Sequence, residues 1–340
     1  MSKKEKFSDA GRLRTVSIAG TGSYMPERIM TNAELETMVE TSAEWIVTRT
    51  GIAERRLAGE SETTSDMGAE AARRALADAG VSPEEVDLIV LATITPDLPF
   101  PNTACLVQDK IGAKNAACFS LEAACSGFVF AMETARQFVA TGAAKTALVV
   151  AAEKMSSIID WTDRETCVLF GDGAGACVLK AAEGDKGLVH AVLGSNGALA
   201  ELLMVPGGGS RLPFSEEVLR ERNHYLKMEG REVFKHAVKS MTAIAQQVCA
   251  EKGLTTKDVA CIVPHQANIR IIEAIGQRLG EPKEKFFINL DRYGNTSGAS
   301  VIVALDEAVR SGVIKRGDLV MLLVFGGGFT WGASLLEWSK

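Results

Sequence analysis

The sequence contains no apolar run approaching the roughly 20 residues that span a bilayer. Its start, Met1 to Arg14, is charged and lacks the apolar stretch of a signal peptide. No two cysteines show CxxC spacing, and the seven cysteines are an odd, scattered set. A disulfide framework and a zinc site are thereby excluded as organising features, and free thiols in a reducing, cytoplasmic compartment are expected. An excess of basic residues is missing too. The net charge of -6 argues against general nucleic-acid binding and leaves room for a local basic patch.

What is present is ordinary for a globular chain: 46% hydrophobic and 24% charged residues. A length of 340 residues is long for one domain and comfortable for two. Apolar runs at Thr15 to Gly20, Asp87 to Thr95 and Ala147 to Ala152 read as strands. Between them, helices are expected over Ala33 to Val39, capped by Asn32, then after the cap Ser42, over Thr64 to Ala79, and over Thr103 to Ile111. Strands alternating with helices predict an α/β fold with a largely parallel sheet covered on both faces. The run Gly171-Asp172-Gly173-Ala174-Gly175-Ala176 leads into an apolar strand, not a helix. It therefore reads as a tight turn between strands, not a dinucleotide site.

The pattern restarts at Gly187. Ala79 to Val90 resembles Lys252 to Val263. Cys125-Ser126-Gly127, with the helix, Gly142 and strand that follow, resembles Thr296-Ser297-Gly298 with its helix, Gly312 and strand Leu319 to Phe325. Two similar α/β halves in tandem follow from this, residues 15–186 and 187–340, preceded by an N-terminal extension, residues 1–14. Such halves share a core and place the site between them. Leu202 to Arg222 has little counterpart in the first half and reads as a surface insertion.

The stretch from Ala117 to Thr141 carries the chemistry. It reads as a strand, a tight turn and a mostly buried helix, with Cys125 at the turn. Cysteines are commonly just small buried hydrophobes. At a helix start, however, unpaired N–H groups favour a thiolate, so the thiol pKa is expected to fall. The repeat predicts that His265, at the end of strand Ala260 to Val263, and Asn295, before the matching turn, converge near Cys125. Singly, His265 reads as a hydrogen-bonded core residue and Asn295 as a turn residue. Together the three form a nucleophile with two neutral donors.

Cys125, Pro264-His265-Gln266-Ala267-Asn268 and Gly294-Asn295-Thr296-Ser297 resemble the Cys-His-Asn site of bacterial 3-oxoacyl-[acyl-carrier-protein] synthase III. So do Trp45-Ile46-Val47-Thr48-Arg49-Thr50-Gly51-Ile52, Phe170 to Gly175 and Phe325-Gly326-Gly327-Gly328-Phe329-Thr330-Trp331-Gly332. The likeness runs in matching order from about Thr15 to the C-terminus. It implies a thiolase-like fold in layered αβαβα architecture, a homodimer, and the initiating condensation of type II fatty-acid synthesis. No metal or redox cofactor is implied; a coenzyme A thioester is the substrate. Acetyl-CoA would acylate Cys125, with the N–H groups of Cys125 and Gly327 as oxyanion hole. Malonyl-acyl carrier protein would then be decarboxylated against His265 and Asn295, and the enolate would attack the acyl group.

The resemblance also assigns coenzyme A contacts to Thr41, Trp45, Arg49, Arg164, Gly230, Phe234 and Asn268, with Trp45 and Arg164 as the adenine clamp. On its own Trp45 reads equally as a core tryptophan. Gln266 and Arg270 would meet the carrier protein, with Arg49 a further candidate. Phe100 would gate the acyl pocket across the dimer. Competing expectations are a same-fold relative with another acyl thioester, a thioesterase using Cys125, and a coenzyme A-binding regulator without activity. Asn295 argues against hydrolysis, because a donor suits an enolate.

Overall fold

The computed structural model describes residues 13–182, 184 and 186–340. Residues 1–12 of the expected N-terminal extension lie outside the described residues.

In chain order the elements that frame the site are β1 (Val16–Tyr24), α1 (Ala43–Thr50), α2 (Thr64–Ala79), β2 (Leu88–Ala92), α3 (Thr103–Ile111), β3 (Ala117–Leu121), α4 (Gly127–Thr141), β4 (Thr146–Glu153) and β5 (Gly173–Ala181). They continue with β6 (Leu188–Ser195), α5 (Gly230–Ala250), β7 (Cys261–Pro264), α6 (Ile269–Leu279), α7 (Ser300–Arg310), β8 (Leu319–Gly326) and β9 (Thr330–Glu337). The first sheet runs β1-β5-β4-β2-β3, and the second β7-β8-β9-β6. Helices α4 and α7 lie between the sheets, α2 and α3 cover the first sheet outside, and α5 and α6 cover the second. This is the αβαβα layering expected. One central core joins both halves, with Val90, Phe128, Met132 and Val149 against Ile302, Leu305, Leu322 and Val324.

The sheets are mixed, not largely parallel. β2 pairs in parallel with β3 and β4, and β7 with β8; every pairing of β1, β5, β6 and β9 is antiparallel. Consecutive strands need a crossover connection, usually helical, to lie parallel, and β9 instead returns from β8 through the short turn Gly327–Phe329.

Local signals account for the helix ends. Ser42 Oγ accepts from Trp45 N at 3.1 Å, as expected of a cap. Thr63 and Asp66 form a capping box at the start of α2, and Gly80, at φ 63°, closes it. The first short helix differs: it spans Asn32–Leu35, and its cap is Thr31, not Asn32. Asn32 is buried instead, donating to Ile52 O and accepting from the buried Arg55.

The glycine run is not a turn either. Gly173 and Gly175 lie within β5. A Cβ at Gly175 would sit 2.5 Å from Ile302 Cγ2, so glycine there lets β5 close onto α7. The insertion is exposed over most of its length, including Phe214, but Val218 is buried and Arg222 is held bidentately by Asp160.

The stretches that resemble one another in sequence share local geometry, with an offset at the site. Gly80 and Gly253 take φ 63° and 69°, each before a one-turn helix with a capping box, Ser82 with Glu85 and Thr255 with Asp258. At the site, Ala124 (φ 46°) corresponds to Ser297 (φ 48°). Cys125 therefore matches Gly298, not Thr296.

Candidate active site

Cys125 lies in the turn Ala124–Ser126, directly before α4. Its surroundings are laced to the end of the second sheet. Ser126 Oγ donates to Thr330 O at 3.0 Å, and Thr330 Oγ1 donates to Ala123 O at 2.9 Å. A Cβ at Gly326 would stand 2.6 Å from Cys125 N, so only glycine lets β8 reach the nucleophile's backbone. Gly327 comes next, beside Ala124 and Leu203. Among the described residues, neither the Cys125 nor the Gly327 N–H meets a backbone acceptor.

The second half supplies the other two groups. His265 follows β7, and its N–H donates to Leu323 O on β8, near Gly326. Asn295 is fixed by Asn295 N–H to Leu169 O and by Gly171 N–H to Asn295 O. Two residues beyond Ser297 N–H donates to Asn295 Oδ1 at 2.8 Å. The turn starting at Ser297 packs on the Cys125 turn: a Cβ at Gly298 would lie 3.1 Å from Ala124 O. The structure thus brings the three expected residues to one buried place, each only 5–7% exposed.

Hydrogen bonding orients both donors. Asn295 Oδ1 is occupied, so its Nδ2 remains as donor. His265 Nδ1 lies 2.6 Å from Ser300 Oγ, which also accepts from Gln266 N at 3.2 Å. With the Ser300 hydroxyl donating to Nδ1, the hydrogen of the neutral ring sits on Nε2.

The expected drop in the Cys125 pKa is not what the site produces. Burial pushes the thiol up to about 12; the Ser297 hydroxyl and the residue's own N–H oppose this, while the Glu153 charge adds to it. A turn's dipole does not offset removing a thiolate from water. Burial also lowers His265 to about 3. Thiol and imidazole therefore rest as neutral groups, not as an ion pair.

The remaining expected residues fall into groups. Trp45 is half-buried, not a core residue, and Arg164 Cζ stands 5.0 Å from its ring centroid, with Arg49 Cζ at 5.9 Å. Arg164 also donates to Glu40 O at 3.1 Å, beside Thr41. Thr41 Oγ1 is buried with no partner among the described residues. Helices α1 and α5 both pack on α6. Arg49 lies on α1, Gly230 starts α5, which also carries the half-buried Phe234, and Asn268 Oδ1 caps α6 by accepting from Arg270 N. Arg270 is exposed. Gln266 is corrected as a docking residue. It is 1% exposed, donates to Pro264 O and Phe287 O, and accepts from Asn289 N, so it braces the interior and offers nothing to a partner. Phe100 is 86% exposed beside the exposed Leu98.

Sequence reasoning passed over Gly326, Ser300 and Glu153. Glu153 had a visible signal: a lone acidic residue closing the apolar run Ala147 to Ala152.

A two-sheet α/β layering with a buried cysteine at a turn after the first sheet's β3, and a buried histidine and asparagine on loops of the chain's second part, is the arrangement of a thiolase-fold condensing enzyme. Residues 119–197 match the family 3-Oxoacyl-[acyl-carrier-protein (ACP)] synthase III, and residues 249–338 match its C-terminal part. Among similar curated proteins is the beta-ketoacyl-[acyl-carrier-protein] synthase III of Caldanaerobacter subterraneus subsp. tengcongensis, 53% identical over 95% of this chain and 98% of that protein. That of Clostridium acetobutylicum is 52% identical over 96% and 100%. The crystal structure of the Aquifex aeolicus synthase III is similar with a TM-score of 0.88 and 47% identity, over 95% of this chain and 100% of that one. The chain belongs to the beta-ketoacyl-[acyl-carrier-protein] synthase III family, the acyltransferases that carry out the initiating condensation of fatty-acid biosynthesis.

The neutral histidine has a consequence for stability. Folded His265 stays unprotonated while the unfolded residue binds a proton below about 6.5, so the unfolded state gains protons as pH falls. The contribution is intact above about pH 6.5 and drops by about 2 kcal/mol between pH 7 and 5. Urea unfolding of the wild type and His265→Gln at pH 7 and 5 should show the wild type losing that much more. A difference independent of pH would contradict it.

Proposed function

We propose that the chain transfers acetyl from acetyl-CoA to Cys125 and condenses it with malonyl-acyl carrier protein, giving acetoacetyl-carrier protein, coenzyme A and carbon dioxide. The observation that carries this reading is the pairing of two separate donor sets with one buried sulfur. The N–H groups of Cys125 and Gly327, without backbone acceptors among the described residues, suit the oxyanion formed when the sulfur attacks a thioester. His265 Nε2 and Asn295 Nδ2, the donors left over from their own fixed bonds, suit the enolate oxygen that appears as malonyl loses carbon dioxide. The enolate carbon then attacks the acyl-Cys125 carbonyl, within reach of both sets.

A thioesterase fits less well. A hydrolase needs a histidine oriented as a base by an acceptor, and here the group on His265 Nδ1 is a serine hydroxyl, not a carboxylate. For coenzyme A, the Trp45–Arg164 pair supplies a flat ring and a guanidinium. A base sandwiched between them needs two contact layers, about 7 Å, so Arg164 must swing outward by about 2 Å from its present contact. The orphaned Thr41 Oγ1 nearby suits a ligand hydrogen bond. Arg49 and Arg270 are exposed cations suited to an acidic carrier protein. A homodimer in the cytoplasm completes the reading: β3 is the open edge of its sheet, next to exposed Leu98 and Phe100, where a second copy would cover them.

The reading is tested by mass spectrometry of protein incubated with a panel of acyl-CoAs. Acetyl should load Cys125 and nothing should load Cys125→Ala; label on that variant sinks the assignment. Trp45→Ala and Arg164→Ala should raise KM for acetyl-CoA roughly 5- to 100-fold, since stacking contributes about 1–3 kcal/mol. KM for malonyl-carrier protein should hardly move, because its phosphopantetheine arm has no adenine. Equal shifts for both substrates would place the adenine elsewhere.

A further inference from the structure

Glu153, the last residue of β4, is 0% exposed and has no cationic partner among the described residues. Its Oε2 accepts from Thr93 Oγ1 at 3.0 Å, Ile94 N at 3.1 Å and Thr95 Oγ1 at 2.7 Å. Its Oε1 accepts from Ser297 Oγ at 3.1 Å. The turn that carries Ser297 presses on the Cys125 turn, a Cβ at Gly298 lying 3.1 Å from Ala124 O, and the Ser297 hydroxyl acts on the thiol to favour its charged form. Thiol, hydroxyl and carboxylate thus form a buried row, which the division of labour above leaves unused.

Resting on the acyl transfer proposed above, we infer that Glu153 is the proton acceptor for Cys125, reached through the Ser297 hydroxyl. The Cys125 S–H bond breaks and its proton passes to Ser297 Oγ, while the proton of Ser297 passes to Glu153 Oε1. The sulfur's freed electron pair attacks the acetyl carbonyl, and the C–S bond to coenzyme A breaks. The departing sulfur leaves from the same carbon and takes the proton back from Glu153 by way of Ser297. Carboxylate and hydroxyl are restored, and no oxidant or further reactant is required.

Two physical features favour this path. His265 is a poor acceptor, because burial disfavours its protonated form. Moving the proton from sulfur to Glu153 keeps a single negative charge within the buried row, so the thiolate forms without adding charge to the interior. Burial also raises the Glu153 carboxyl to about 7, against the pull of Thr95, Ile94, Thr93 and Ser297. Among the described residues no other charged side chain is hydrogen-bonded to it. Neighbouring Lys154 sends its Nζ to the carbonyls of Gly59, Glu60 and Glu62, and Asp172, beside the paired Gly173, is bound by Ser156 and Ala58 N. The β2 extension, Thr93 to Thr95, offers only neutral donors.

The test is site-resolved alkylation of Cys125 by iodoacetamide from pH 5.5 to 9, beside single-turnover acetylation and malonyl decarboxylation. In the wild type the alkylation rate should rise through about pH 7 and then level into a shoulder. In Glu153→Gln the shoulder should vanish, acetylation at pH 7.5 should fall about 10²-fold, and decarboxylation should stay within a few-fold. Glu153→Asp should recover part of the acetylation. A shoulder that persists in Glu153→Gln, or acetylation that is unchanged, overturns the inference. Should Glu153→Gln show no cooperative unfolding, Ser297→Ala decides: acetylation slowed at least 10-fold supports the relay, and an unaltered rate overturns it. Alkylation needs only a thiolate, so a wild type that shows the shoulder but takes no acetyl separates failure of the proposed function from failure of this inference.

Discussion

The site depends on two tight turns pressed together, one from each half of the chain. Each holds a non-glycine residue in the left-handed region, Ala124 at φ 46° and Ser297 at φ 48°. Such conformations cost about 1–3 kcal/mol each and persist where surrounding structure dictates them. Here the surroundings are the contact of Gly298 with Ala124 O, the approach of Gly326 to Cys125 N, and the bonds from Ser126 and Thr330 across to the opposite strand. The strain puts the sulfur at a turn whose Cys125 N–H meets no backbone acceptor among the described residues, with the Ser297 turn packed against it. Loosening either turn would move the nucleophile and its neighbours together.

Burial then decides the electrostatics. The thiol, the imidazole and the Glu153 carboxyl all lie where charge is costly, and each is pushed toward its neutral form. Beside the Glu153 carboxylate, the resting site is a set of oriented dipoles: hydroxyls, amides and a ring N–H. Such a set stabilises charge only when a reaction creates it, without rearranging at that moment. Glu153 is the exception: its carboxyl is raised to about 7, near neutrality, and it accepts from the Ser297 hydroxyl on the turn packed against Cys125.

Much of this was legible from residues. Thr64 to Ala79, Thr103 to Ile111, and the Cys125 segment fall where the apolar pattern placed them. The tandem repeat led to His265 and Asn295 because equivalent strand ends meet at the shared core. What failed did so for physical reasons. The repeat slipped in register at Cys125 because the turns match in backbone dihedral, while their residues differ. Thiol acidity was misjudged because helix-start electrostatics was weighed without desolvation, which only the packed structure reveals. Gln266 was misplaced because a polar side chain in a loop motif gives no sign that Pro264, Phe287 and Asn289 consume all its hydrogen bonds. Mixed strand direction was missed because apolar runs carry no polarity.

The central claim is that acyl transfer and decarboxylation use different donors around one sulfur. It is tested most directly by measuring, for His265→Ala and Asn295→Ala, single-turnover labelling of Cys125 by acetyl-CoA beside carbon dioxide release from malonyl-carrier protein. Removing one donor to a developing oxyanion typically costs about 10²–10³ in rate. The account predicts a loss of that size in carbon dioxide release, with labelling of Cys125 retained at a modestly lower rate. Labelling that stops in His265→Ala while decarboxylation persists would make His265 the thiol's base and contradict the account.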